Sequence, residues 1–175
     1  MEAIISSDTI KEYRELADTI SDIKAIDPFI LEAQNIELRD FLGDALFNVL
    51  IANQDDGGIY QTLIDGEDYT YNTHTVTYDG LKPLLCYIAC ARMLSQHGIK
   101  ITRFGVVRKH SDESEHADDG SVARFITKLR ATAKVYEGRA KQYLDTKRLV
   151  YTLWGASESS EMRSSIKVTM ITNDN

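Results

Sequence analysis

Apolar side chains recur three and four positions apart from Ile26 through Phe29, Ile30, Ala33, Ile36 and Leu38, and again through Phe41, Leu42, Ala45, Leu46, Val49 and Leu50. That period predicts helix. Asp27-Pro28 marks its start, by capping and by the fixed φ of proline in a first turn, and Gly43 predicts a kink or a boundary. Residues 8–20 carry only a weak helical period and predict a short or irregular lead-in. Asn53 to Gly58 is a loop by composition, and Ile59 to Ile64 a short helix closed by Asp65-Gly66. The period then changes. Tyr69 to Tyr71 and Thr75 to Tyr78 are β-branched and aromatic around Asn72-Thr73-His74, which predicts a small hairpin with His74 in the turn.

Asp79-Gly80 turns the chain into Leu81 to Leu94, apolar nearly all the way round a helix, with only Lys82 and Arg92 charged. Pro83 is tolerated in its first turn, and His97-Gly98 is its expected stop. Such a helix must be covered by its own fold or by a neighbour, so the chain reads as one that assembles. Ile99 to Lys109 looks extended, and Ser111 to Gly120 is too acidic and polar to pack. Together they predict an exposed arm and loop over residues 101–120. From Ser121 to about Tyr151, Val122, Phe125, Ile126, Leu129, Ala133, Tyr136, Ala140, Tyr143 and Leu144 hold one stripe, the longest predicted helix. Beyond Trp154-Gly155 the chain is Ser-rich, and Ile166 to Ile171 alternates like a strand able to add to a partner. The organisation expected is one mainly α domain over residues 1–155, a bundle of three to four main helices with a small β-hairpin, followed by an extended tail over 156–175.

The 175 residues, 43% hydrophobic and 27% charged, are ordinary for one globular domain. No stretch approaches the roughly 20 apolar residues of a membrane span, and the first residues lack a signal-peptide pattern, so a cytoplasm-like setting is expected. The net charge of −7 conceals a split. Residues 1–80 carry 17 acidic and 4 basic side chains, a net −13; residues 81–175 carry 10 acidic and 16 basic, a net +6. On separate faces these charges favour head-to-tail contact between copies; the alternative is that they interleave on one solvated surface. The basic excess lies on the long helix: Arg124, Lys128, Arg130, Lys134, Arg139, Lys141, Lys147 and Arg148 against Glu137 and Asp145. Those cations can lie along phosphates, solvate an amphipathic helix, or meet a protein partner.

No motif for catalysis, cofactor or phosphate binding stands out. Cys86 and Cys90 read as buried small hydrophobes. His110 and His116 stand among Asp112, Glu113, Glu115, Asp118 and Asp119, but not at zinc or calcium spacing, so neither metal nor cofactor is expected. His97 suits a helix end whatever the function.

The order of elements, from Phe29–Leu50 through the hairpin, Gly80-Leu-Lys-Pro leading into the apolar helix, Arg103-Phe-Gly-Val-Val-Arg-Lys109 and the long helix, resembles the head-tail connector, or neck adaptor, proteins of tailed bacteriophages. Versions from phages of Bacteroides-type hosts, including the crAss-like group, are the most similar, over roughly residues 20–155. The hairpin and the longer tail depart from the simplest connectors. The resemblance implies a non-enzymatic virion protein, assembled in the host cytoplasm as a homo-oligomeric ring, commonly twelvefold. Its partners would be the portal protein and other neck or tail proteins. Double-stranded DNA would pass through the lumen without sequence recognition, and no membrane is involved. Arg103, Phe104, Val106, Val107 and Arg108 would then contact a neighbour through the arm, joined by the Ser164–Thr172 tail. Arg130, Lys134 and Lys141 would meet a neighbour's acidic surface, and Asp112, Glu113, Glu115, Asp118 and Asp119 are candidates for the channel wall, where acids avoid gripping phosphate.

Overall fold

The computed structural model describes residues 3–13, 23–96, 99–102, 105–108 and 119–155. They form a mainly helical protein whose centre is a single 15-residue helix. In chain order the elements are α1 (Ser7–Ile10), α2 (Asp27–Ala33), a π-helical segment (Gln34–Leu38), α3 (Arg39–Leu42), α4 (Asp44–Ala52), α5 (Ile59–Asp65), β1 (Glu67–Tyr71), β2 (His74–Tyr78), α6 (Lys82–Gln96), β3 (Ile99–Thr102), β4 (Gly105–Arg108) and α7 (Asp119–Thr146).

The apolar helix is α6, and its own chain covers it. Pro83 to Tyr87, Ala89 to Ala91 and Met93 are buried. α7 packs along one side of α6 and α2 along another, while α1 also touches it. Its two charged residues are both paired: Lys82 Nζ lies 2.6 Å from Asp65, and Arg92 reaches Glu37 at 2.7 Å and Glu32 at 3.1 Å. Of the two covers the sequence allows, its own fold or a neighbour, the structure supplies the first. Its all-round apolarity reflects a central position in the fold.

The broken helix has two interruptions rather than one. Gly43, at φ +74°, separates α3 from α4 in a conformation that L side chains seldom adopt, and the Arg39–Asp44 ion pair at 2.6 Å spans the break. The other interruption is the π segment. Asp27 does not cap α2: a 3-10 turn, Ile23–Ile26, leads into it, Ile26 holds the N-cap position, and no side chain caps the helix. Pro28 nevertheless sits in the first turn as expected. α1 gives the irregular lead-in a short helix, because Ile5 and Ile10 enter the core.

β1 and β2 pair antiparallel with Glu67 opposite Tyr78 and Tyr71 opposite His74. Asn72 (φ 47°) and Thr73 (φ 68°) alone make the turn, so His74 opens the second strand instead. At the hairpin's base the chain crosses itself between two glycines. A Cβ on Gly66 would fall 2.1 Å from the Tyr78 carbonyl oxygen, and one on Gly80 2.2 Å from that of Ile64. Leu81 N donates to Ile64 O at 3.0 Å, which closes this junction.

The stretch read as a lone extended arm is paired with itself. β3 and β4 form a second antiparallel hairpin, Ile99 opposite Arg108 and Thr102 opposite Gly105. Its inner backbone groups therefore have partners within the chain. α7 starts at Asp119, two residues earlier than expected, and ends at Thr146. Val150 N and Tyr151 N both return to Lys147 O, so the chain winds through tight turns that put Tyr151 into the core.

Candidate functional site

Because α7 advances roughly 100° per residue, its side chains fall into three rows. One is buried, with Leu129, Ala133, Ala140, Tyr143 and Leu144 at its centre and Val122, Phe125, Ile126 and Tyr136 at its margins. A second contains Arg124, Lys128, Ala131, Val135 and Arg139; a third contains Arg130, Lys134 and Lys141. All eight residues of these outer rows are exposed. The helix thus buries one face and offers two cationic ones.

Local chemistry separates the outer rows. Lys134 is held by Glu137 one turn along, at 2.7 Å, while Arg130 and Lys141 have no partner among the described residues. In the second row, Arg139 meets Asp79 at 2.6 Å and lies over the Tyr136 ring. There a shallow depression of about 290 Å³ is lined by Lys128, Ala131, Thr132, Val135, Tyr136 and Arg139. Val135 is 54% exposed in it, an apolar side chain framed by cations.

The far end of α7 is tied to the first hairpin by aromatic rings. Tyr143 stacks on Tyr78 at 4.1 Å and meets Tyr69 edge-on at 5.2 Å. Its hydroxyl donates to Glu67 at 2.7 Å, and Lys147 approaches the same carboxylate at 3.1 Å. Tyr151 donates to Ile59 O and Tyr78 to Leu63 O. Burial raises the pKa of Tyr78, Tyr143 and Tyr151, whereas the hydrogen bond from Tyr143 holds Glu67 below its ordinary value. Neutral phenols each bonded to an acceptor fix geometry; none is poised to give up a proton.

Cys86 and Cys90 are free and buried, and desolvation drives the Cys90 thiol up to about 12 and Cys86 higher still. They are inert packing residues, as their spacing predicts. Among the described residues no group of three or more His, Cys, Asp or Glu side chains is placed to hold a metal ion, and no described helix is long and apolar enough to cross a membrane.

Of the arm residues predicted at an interface, Val106, Val107 and Arg108 lie on β4, and Arg103 and Phe104 fall outside the described residues. So do Asp112, Glu113, Glu115, Asp118, His97, His110, His116 and the 156–175 tail, while Asp119 is the first residue of α7.

Sequence reasoning missed one feature. Ile36, assigned to the core stripe, is 53% exposed, and Gln34, assigned to none, is fully buried with its Oε1 accepting from Ile4 N at 2.7 Å. The π segment causes the exchange, because an i→i+5 turn advances the faces differently from an α-turn.

Residues 38–164 match a family described as a family of unknown function, DUF6712. The chain belongs to that family. In DUF6712 terms the matched span runs from the last residue of the π segment through both hairpins, α6 and α7, so it includes both cationic rows. α1, α2 and Ile36 precede it. No curated protein and no solved structure matches the chain.

Proposed function

We propose that this DUF6712 chain is a structural subunit of the head-tail connector of a tailed bacteriophage. Copies of it would form a ring between portal and tail that continues the DNA channel, without cofactor or catalysis. The order of elements that resembles the neck adaptors supports this reading, but the observation that carries it is the opposite charge left exposed on different elements, beyond the acids and bases that pair within the chain. α7 exposes two cationic rows from one end to the other, while Asp27, Asp40, Asp44, Asp55, Asp56 and Asp68 stand exposed on the acidic half of the chain. Opposite charges on different elements of one chain suit contacts that repeat head to tail, and such contacts close into a ring when the rotation permits. The ring's partners are the portal and the adjoining neck or tail proteins. Asp112, Glu113, Glu115 and Asp118, with Asp119 at the start of α7, are assigned to the channel side, where they keep the wall from gripping phosphate.

Electron cryo-microscopy of a phage particle carrying this protein tests the reading. A symmetric ring of it between portal and tail is the expected result; particles that infect without it would refute the proposal. One observation favours a second reading, a nucleic-acid-binding packaging accessory: the same exposed cations of α7. That reading requires DNA affinity that falls steeply with salt, whereas the connector reading expects weak binding or none.

A further inference from the structure

Four aspartates in the chain are followed by glycine: Asp56, Asp65, Asp79 and Asp119. Such a bond is prone to rearrange by itself, because glycine has no side chain to shield its amide nitrogen from the preceding carboxyl group. The attack needs a peptide outside helix and strand, an amide with no acceptor and a carboxyl group with no partner. At Asp65-Gly66 the carboxylate is held by Lys82 and by Gln61, each at 2.6 Å, and Gly66 N donates to Thr62 O at 2.8 Å. At Asp79-Gly80 the carboxylate is held by Arg139 at 2.6 Å. Both glycines are pinned where the chain crosses itself, so neither peptide can turn without breaking that junction. Asp119-Gly120 begins α7 in helical backbone. Asp56-Gly57 differs on every count. It lies in a bend between α4 and α5, both residues are exposed, and neither the Asp56 carboxylate nor Gly57 N has a hydrogen-bond partner among the described residues. A Cβ on Gly57 or Gly58 would meet nothing within 4 Å, which leaves room for a cyclic intermediate and for water.

We propose that Asp56-Gly57 is the bond at which this folded chain modifies itself to isoaspartate. Gly57 N attacks Cγ of the protonated Asp56 carboxyl group; the N–Cγ bond forms, the Cγ–OH bond breaks, and the hydroxyl leaves as water with the amide proton. The product is a five-membered succinimide. Water then adds to the main-chain carbonyl carbon of Asp56 and breaks its bond to Gly57 N. The backbone now runs through Cβ and Cγ, and a carboxylate is left on Cα. Attack of water at Cγ instead restores aspartate. No atom is gained or lost overall, and no enzyme or cofactor is required. The extra methylene in the backbone falls beside two glycines in open space, and α5 stays anchored downstream by the hydrogen bond from Tyr151 to Ile59 O, so the fold is kept. What changes is the position of charge: the carboxylate moves from the tip of a side chain to the main chain, next to exposed Asp55. This inference does not depend on the connector reading.

Ageing of the full chain tests it. The protein is kept folded at neutral pH and, in parallel, unfolded in concentrated urea. Peptides covering Asp56, Asp65 and Asp79 are then separated and fragmented by electron transfer in a mass spectrometer, which distinguishes isoaspartate from aspartate of equal mass. The expected result in the folded chain is roughly tenfold more isoaspartate at residue 56 than at 65 or 79, because rearrangement at those two must wait for local opening of the junction. In urea the three rates should converge to within about threefold, since each aspartate is followed by the same residue and the junction is gone. Equal isoaspartate at the three bonds of the folded chain would overturn the proposal, as would a residue 56 spared in the folded chain but modified in urea. A difference that persists in urea would assign the selectivity to local sequence and overturn the role given to the fold.

Discussion

α6 and α7 lie side by side, yet they do opposite work. α6 is wrapped by α1, α2 and α7, and each of its charges is neutralised on the spot. α7 buries one row and leaves two cationic rows in water. From sequence, the apolar helix had to be covered either by its own fold or by a neighbour. In the structure its own chain covers it, and the better solvated helix is the one that leaves cations and Val135 in water. The apolarity of a helix therefore reports its depth within the subunit, while its capacity to join another chain is read from what remains outside.

Substitutions that separate stability from association sharpen this contrast. The largest effect is expected in α6, where Leu85 is fully buried. Leu85→Ala should lower unfolding free energy by about 2–5 kcal/mol in urea titrations, the range for a cavity in a packed core. At the junction of α7 with the hairpin, Tyr143→Phe removes the hydrogen bond to Glu67 and should cost about 1 kcal/mol, since that carboxylate is partly solvated. Its pH dependence is specific. Tyr143 and Lys147 hold Glu67 below its ordinary 4.5, so their contribution is complete above pH 4.5 and is lost as pH falls through the depressed folded-state value. Tyr143→Phe should flatten that acid limb in melts taken from pH 6 downward. The smallest effect belongs to the outer row: Arg130→Glu with Lys141→Glu should leave unfolding within about 0.5 kcal/mol of the parent. If the double change unfolded the protein, the division between a structural α6 and a solvated outer face of α7 would fail.

Elements that announce themselves by a change of period were legible in the sequence. α5, the first hairpin, α6 and α7 all sit within a few residues of their expected bounds, because glycine, proline and β-branched runs punctuate them. The cations of α7 were equally legible, since a stripe that fixes the buried row also fixes the outer ones. The π segment was not: Ile36 and Gln34 trade places through a backbone hydrogen-bond register that residue hydrophobicity does not encode. Nor was the pairing of β3 with β4, because Ile99 to Thr102 and Gly105 to Arg108 show extended propensity but not what each strand will bond to. Most of the arm and loop residues proposed for contacts and channel, Arg103, Phe104 and Asp112 to Asp118, lie outside the described residues.

The crossing of Gly66 and Gly80 bears on how the chain reaches this state. The Leu81–Ile64 bond ties the two ends of the hairpin segment by backbone alone, between residues close in sequence. Closing so short a loop loses little chain entropy compared with bringing α2 or α7 onto α6. The stretch from α5 to the first turn of α6 can therefore collapse early as a local unit, which gives the central helix a fixed starting direction before the distant layers arrive to cover it.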